Sequence, residues 1–250
     1  MEGSRGGPGN MARDHALAAT LAPDRGILRL YRWRPPTVSF GRNEPARGLY
    51  DRDAAAARGV AFVRRPTGGR TVLHDRELTY AVVVPLRSLG GPRAAYRRVN
   101  AGLVRALAAL GVEAELARGE GPGPALDGGS CFRAAAPGEV TVAGRKLVGS
   151  AQARLGAALL QHGSLLLEGR QELLGELAPA ARADGPPPVS LSELLGRLPA
   201  RGVIVEALVE GLRAELGGRW CDTAGPGPTE AGLERTLEER YRSEAWTWRR

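Results

Sequence analysis

The chain has 250 residues and 43% hydrophobic content, enough for one sizeable core. It contains no apolar run of the roughly eighteen residues that would cross a membrane, and its first ten residues, MEGSRGGPGN, lack the apolar stretch of a secretory leader, so a soluble cytoplasmic protein that does not associate with membranes is expected. A net charge of +8 calls for an acidic partner, while scattered arginines and 5% aromatic content argue against nucleic acid and leave an acidic protein.

The first nine residues read as a flexible, Gly-rich tail, and residues 10–250 as a single domain. Residues 27–33 (ILRLYRW), 37–42 (TVSFGR), 60–65 (VAFVRR), 71–74 (TVLH) and 78–84 (LTYAVVV) read as short strands, with DRDAAAARG as a helix among them. Over 93–110, Val99, Leu103, Leu107 and Leu110 recur at helical spacing and predict a helix packed on a sheet by one face. Residues 117–130 are rich in Gly and Pro and read as a mobile loop ending at Cys131. Residues 139–144 (EVTVAG), 146–153 (KLVGSAQA) and 158–168 (ALLQHGSLLLE) predict three more strands joined by tight turns. Helices follow from residue 170, one of them lined by Ile204, Leu208, Leu212 and Leu216, with GPGP at 225–228 before the last. This order predicts an α+β fold, a mixed β-sheet packed with helices.

All but one of the 35 basic residues are arginine, and the exception is Lys146, in GRKLVGS. A lysine in so biased a sequence is either a leftover or a requirement for a slim ammonium where a planar guanidinium does not fit. Cys131 and Cys221 are too few for a disulfide framework, and no Cys/His spacing fits a metal site. Cys131 is either a buried inert thiol or a reachable one, and a cation beside it would favour the nucleophilic thiolate. Lys146 lies fifteen residues on, across the EVTVAG strand, close enough in sequence for the two to meet. In RRPTGGRTVLHD, Gly68 and Gly69 form either a plain turn or a backbone cradle for a ligand, and His74 is either structural or functional. Cys221 sits in a loop-like segment with no lysine near it.

RRPTGGRTVLHDRELTYAVVV, SCF, GRKLVGSAQAR and LLQHGSLLL, in this order, resemble the superfamily of lipoate-protein ligases and octanoyltransferases, which shares its catalytic fold with biotin protein ligases. The resemblance runs from NMARDHAL to YRSEAWTWRR, nearly the whole chain. It is closest to the cysteine-dependent octanoyltransferases, which move an octanoyl group from acyl carrier protein to a lysine of a lipoyl domain. That implies Cys131 as nucleophile, Lys146 as the residue set against thiol and acyl carbonyl, and Arg65, Thr67, Gly68, Gly69, His74, Gly149, Ser150 and His162 as the acyl pocket. The implied partners are octanoyl-acyl carrier protein and a lipoyl-domain protein, either the glycine-cleavage carrier or a 2-oxoacid dehydrogenase subunit. The resemblance implies no cofactor, ATP or metal.

The sequence leaves other activities to weigh. ATP-dependent lipoate ligases of the superfamily carry three successive glycines where this chain has Gly68, Gly69 and Arg70, and they need no thiol nucleophile. An amidotransferase that moves octanoyl between lipoyl proteins also uses a cysteine. A non-catalytic scaffold would have no use for Cys131 and Lys146 together. One departure is the strand that usually precedes the NMA block, where this chain has the Gly-rich segment.

Overall fold

The computed structural model describes residues 2–119, 130–133, 135–169, 171–178, 185–223 and 225–250. The chain begins with β1 (Ser4–Arg5), α1 (Gly7–Ala19), β2 (Ile27–Trp33), β3 (Thr37–Phe40), α2 (Arg52–Ala57), β4 (Ala61–Arg64), β5 (Val72–His74) and β6 (Glu77–Pro85). It continues through α3 (Pro92–Ala109), β7 (Glu115–Leu116), β8 (Val140–Val142), β9 (Arg145–Leu155) and β10 (Ala158–Leu166). The helices α4 (Glu172–Leu177), α5 (Leu191–Leu195), α6 (Arg201–Leu216), α7 (Pro228–Arg242) and α8 (Glu244–Thr247) close it. The predicted strands and the helices over 93–110 and at Ile204 to Leu216 all form, each within a few residues of the bounds read from sequence. Most of the expected loop at 117–130 lies outside the described residues.

The strands make two sheets. One has the order β1-β2-β6-β10-β9-β8-β7, with β1 parallel to β2 and the other pairs antiparallel. The smaller has the order β4-β3-β5, with β3 parallel to β4 and antiparallel to β5. This is the mixed-sheet α+β architecture that the order of elements predicts.

Alternation along the central strand β6 shows how the layers arise. Leu78, Tyr80, Val82 and Val84 face one way and pack with Val99, Leu103 and Leu107 of α3 and Ile204, Leu208 and Leu212 of α6. Ala81 and Val83 face the other way, toward Met11, Ala12 and Ala16 of α1 and Leu237 and Tyr241 of α7. A third cluster, including Val38, Phe40, Tyr50, Leu73 and Leu174, fills the space around the small sheet. Both faces of the large sheet are thus covered by helices.

The N-terminal segment departs from the flexible tail read over residues 1–9. Ser4 and Arg5 pair with Arg32 and Trp33, and α1 already begins at Gly7. The segment holds because Glu2 reaches two buried arginines, at 2.8 Å from Arg29 Nε and 3.3 Å from Arg13 Nε, and because Pro8 presets the first helical turn. Packing at Gly7 is close, since a Cβ there would lie 3.0 Å from Thr37 Cγ2 and 3.1 Å from Val63. A strand is therefore present ahead of the NMA block, in two residues.

The crossing of α3 and α6 rests on a glycine pair. A Cβ on Gly211 would lie 2.4 Å from Gly102 O and 2.7 Å from Ala106 N, both backbone atoms that cannot turn aside. Gly211→Ala is therefore expected to force the helices apart and to cost about 1–3 kcal/mol, more than the roughly 1 kcal/mol that alanine gains in helix propensity. Urea unfolding checks this, and an unchanged midpoint would show that the crossing yields freely.

Candidate active site

Cys131 opens a single 3-10 turn, Cys131–Arg133, directly after the bridge that sets Ser130 beside Thr71. Its N–H donates to Thr71 O at 2.8 Å, which ties it to the strand following the Gly-Gly turn and takes that amide away from any oxyanion. Lys146 comes from the start of β9. The hairpin that presents it turns through Ala143 and Gly144, whose φ values of +48° and +73° make the tight two-residue connection between Val142 and Arg145. A register shift between Val140 and Thr141 lets Lys146 pair with Thr141 while Glu139 sits just before the start of β8.

These elements converge on one buried ammonium. Lys146 Nζ donates to Cys131 O at 2.8 Å and to Cys131 Sγ at 3.3 Å, and pairs with Glu139 Oε2 at 2.6 Å. Glu139 is fixed in turn: its Oε2 accepts from Ala136 N–H at 2.7 Å and its Oε1 from Ser150 N–H at 3.3 Å. The Phe132 ring lies 5.6 Å from the ammonium. Gly149 lies against the Phe132 ring, where a Cβ would stand 3.3 Å from Phe132 Cζ, and in ordinary contact, at 3.5 Å, with Lys146 Cε. Burial pulls the Lys146 pKa down, but the Cys131 thiolate and the Glu139 carboxylate outweigh it and hold the lysine above its ordinary value. Convergent acceptors beside an aromatic ring suit the compact lysine head and not a planar fork, so the lone lysine has a geometric reason.

A cavity opens beside the thiol, between the two sheets. The small sheet contributes Ser39, Val72 and His74, and the large sheet Tyr31, Trp33, Thr79, Gly149 and the run His162, Gly163 and Ser164. Met11 of α1 and Arg65 complete much of the wall. Cys131, Ser150 and Ala151 are half-buried while the deeper residues are buried, so the thiol stands at the open end. Inside, Trp33 stacks on His74 with ring centroids 3.8 Å apart and donates from Nε1 to Thr79 Oγ1 at 2.8 Å. His74 is held by Ser39 Oγ at 2.8 Å and Ser164 Oγ at 3.2 Å. Burial pushes its pKa down against the opposing pull of Glu77, leaving a neutral ring.

His162 is clamped from both ring nitrogens, Nε2 lying 2.6 Å from Thr67 Oγ1 and Nδ1 3.0 Å from Asp14 Oδ2. Burial alone would raise the Asp14 carboxyl, but Arg29, His162 and the Tyr31 hydroxyl outweigh it and hold it below the ordinary range. Arg65 donates to the carbonyls of Ser39, Gly68 and Arg70 at 2.7–2.8 Å, so it frames the Gly-Gly turn while lining the cavity.

Of the residues read from sequence, Cys131, Lys146, Arg65, His74, Gly149, Ser150 and His162 therefore gather at one place. Thr67, Gly68 and Gly69 are not among the residues lining the cavity. Thr67 reaches it through His162, and the Gly-Gly turn packs on Gly41, whose added Cβ would lie 1.8 Å from Gly69 O. Cys221 is exposed. Sequence reading missed Glu139, although Glu139 and Lys146 flank the Ala143–Gly144 turn at a spacing that a hairpin brings together. It also missed Met11, Trp33, Ser39 and Asp14, which no local pattern marks.

Residues 8–213 match the family model described as the lipoyl protein ligase A/B catalytic domain. The chain is 40% identical to octanoyltransferase LipM of Kyrpidia tusciae, over 96% of this chain and 94% of that one. It is 38% identical to octanoyltransferase LipM of Symbiobacterium thermophilum, over 99% of this chain and 96% of that one. Among solved structures it is similar to a chain from the archaeal lipoylation system of Thermoplasma acidophilum, a bipartite lipoate protein ligase and its E2 lipoyl domain. The TM-score there is 0.78 at 22% identity, covering 99% of this chain and 94% of that one, a likeness that speaks for the fold alone.

The geometry makes the thiol's reactivity depend on the lysine head. In a Cys221→Ser background, Lys146→Ala is expected to slow iodoacetamide alkylation of Cys131 at neutral pH by on the order of 10-fold or more, because the thiolate loses its nearest cation. Lys146→Arg is expected to fall with Lys146→Ala, since the fork does not fit between Glu139 and Cys131. Wild-type alkylation in the arginine variant would mean that charge alone suffices.

Proposed function

This chain belongs to the lipoyl protein ligase A/B catalytic domain family, and we propose that within it the protein is an octanoyltransferase working through a Cys131 thioester. Relatives that share about two residues in five over nearly the full length carry the octanoyltransferase name, which supports octanoyl transfer in protein lipoylation. The observation that carries the covalent route is the 3.3 Å contact between Lys146 Nζ and Cys131 Sγ at the open end of the cavity. An enzyme that activates a free acid as an adenylate has no use for such a pair.

In the first half-reaction the Cys131 thiolate adds to the thioester carbonyl of octanoyl-acyl carrier protein. The carbonyl oxygen takes up negative charge beside the Lys146 ammonium, which already lies against the attacking sulfur. The bond to the carrier sulfur breaks, the carrier leaves as a thiolate and takes a proton from water, and octanoyl remains on Cys131 with its chain in the cavity. In the second half-reaction a neutral lysine amine of a lipoyl domain adds to the Cys131 thioester. The C–S bond breaks, Cys131 departs as a thiolate against Lys146, and the nitrogen gives its extra proton to water. The product amide is more resonance-stabilised than the thioester, so the exchange runs downhill without ATP. A net charge of +8 fits acidic carrier and lipoyl domains as partners.

Intact-protein mass spectrometry tests this reading. Mixed with octanoyl-acyl carrier protein and no ATP, the enzyme is expected to gain one hydroxylamine-labile octanoyl group. That adduct should be absent from Cys131→Ser and Cys131→Ala and retained in Cys221→Ala. An adduct that forms only from free octanoate and ATP would replace the transferase reading with a ligase.

A further inference from the structure

The transferase reading gives no part to Glu139, the charged partner of Lys146. Glu139 lies 2.6 Å from Lys146 Nζ, is itself buried, and is gripped from both sides by the N–H groups of Ala136 and Ser150. Its described contacts reach the thiol through Lys146. The network extends beyond it: Ser150 Oγ bonds Tyr80 and Asn100, and Asn100 Nδ2 donates to Gly138 O at 2.7 Å, next door to Glu139. A carboxylate held this firmly against a lysine also draws the cation away from the thiolate. An arrangement meant solely to activate the thiol would omit it.

The reason for it emerges when the two half-reactions are compared. When Cys131 reacts as a thiolate, the ammonium faces two acceptors, its sulfur at 3.3 Å and the Glu139 carboxylate at 2.6 Å. Acylation consumes the first, because a thioester sulfur carries no charge. The ammonium then stays buried while one of its counter-charges is gone, and burial favours the neutral amine. Yet the second half-reaction needs the ammonium most, since Cys131 must leave with its electron pair as a thiolate when the C–S bond breaks. We propose that Glu139 is a positioning residue of the transfer, the standing counter-ion that keeps Lys146 charged while Cys131 carries the octanoyl group. This rests on the transferase reading above.

Among the described residues, four other charged or titratable groups near the pair supply no carboxylate in place of Glu139. Arg65, beyond the thiol, adds positive charge. Tyr80 of β6 and Tyr96 of α3 face Glu139, and burial pushes both phenols up, Tyr80 to about 12, so they stay neutral through the working range. Arg145 pairs with Glu193, at 2.7 Å, on the other face of β9. The sign for Lys146 then follows: burial lowers its pKa and the carboxylate raises it, so losing the carboxylate from the acyl-enzyme moves loss of the ammonium to lower pH.

The test separates the half-reactions. Wild type, Glu139→Gln and Glu139→Asp are loaded from octanoyl-acyl carrier protein and chased with a lipoyl domain at a series of pH values, the adduct being followed by intact mass. For Glu139→Gln, loading is expected to stay within about 3-fold of wild type and the chase to slow by about 10-fold or more, on the scale of losing an electrostatic contact to the leaving charge. The alkaline fall of the chase rate should start at lower pH, and Glu139→Asp should restore part of that limb. An unchanged chase, or equal slowing of both steps with an unmoved alkaline limb, would reduce Glu139 to scaffolding and overturn the proposal. If circular dichroism shows Glu139→Gln unfolded, Glu139→Asp carries the same comparison: its chase must slow more than its loading. A wild type that never loads overturns the transferase reading and this inference with it, whereas a wild type that does both leaves only the inference at stake.

Discussion

The constraint on which the site depends is a positive charge placed where water does not reach. Taking an ammonium out of water costs several kcal/mol unless partners replace its hydration, and breaking a buried ion pair costs about 3–5 kcal/mol. Lys146 meets that requirement with the Cys131 carbonyl and thiol and the Glu139 carboxylate. Much of the nearby backbone is organised to bring those groups together: the two-residue turn at Ala143–Gly144, the shifted register before β9 and the amides that fix Glu139. A charge that must be assembled from two segments of chain also locks those segments, so the turn bearing Cys131 is held both by Thr71 and by Lys146.

The cavity follows from the same architecture seen from the other side. Helices cover both faces of the large sheet, and the small sheet stands against it so that Ser39 and His74 meet Trp33, Thr79 and Ser164 across the gap. Several of its polar lining groups are engaged by hydrogen bonds: His74 with two serines of the lining, Trp33 with Thr79, and His162 with Thr67 and Asp14 behind the wall. Buried polar groups that satisfy each other leave the space between them to an apolar guest. Hydrogen bonding inside the wall and an apolar chain inside the cavity are therefore compatible.

Much of this was legible in the sequence, and the limits have physical causes. Strands such as ILRLYRW and LTYAVVV and the helix carrying Ile204, Leu208 and Leu212 announce themselves because burial imposes a period, and alternation or helical spacing records it. Lys146 stood out because an arginine-biased chain makes a single lysine informative, and Cys131 gained meaning from its distance to that lysine. The strand at Ser4–Arg5 has no period to show, being two residues long and held by Glu2 reaching Arg13 and Arg29. Gly68 and Gly69 read equally as a plain turn or a ligand cradle because a pair of glycines gives no hint of what packs against it, which here is Gly41. Glu139 was hidden inside a strand-like segment, since its partner is defined by hairpin register and not by local pattern.

The charge on Lys146 is the claim that carries the others, and the sequence offers an unusually direct way to observe it. Because the chain has one lysine, labelling with ¹⁵N-lysine gives a single side-chain nitrogen resonance with no assignment problem. Its shift distinguishes ammonium from amine, and it can be followed against pH in the free enzyme and, at about pH 9, in the octanoyl-enzyme. The account predicts an ammonium that persists above the ordinary lysine range in the free enzyme and is still present at that pH once Cys131 is acylated. A resonance that titrates to the amine below the ordinary range, or that turns to the amine on acylation, would contradict it.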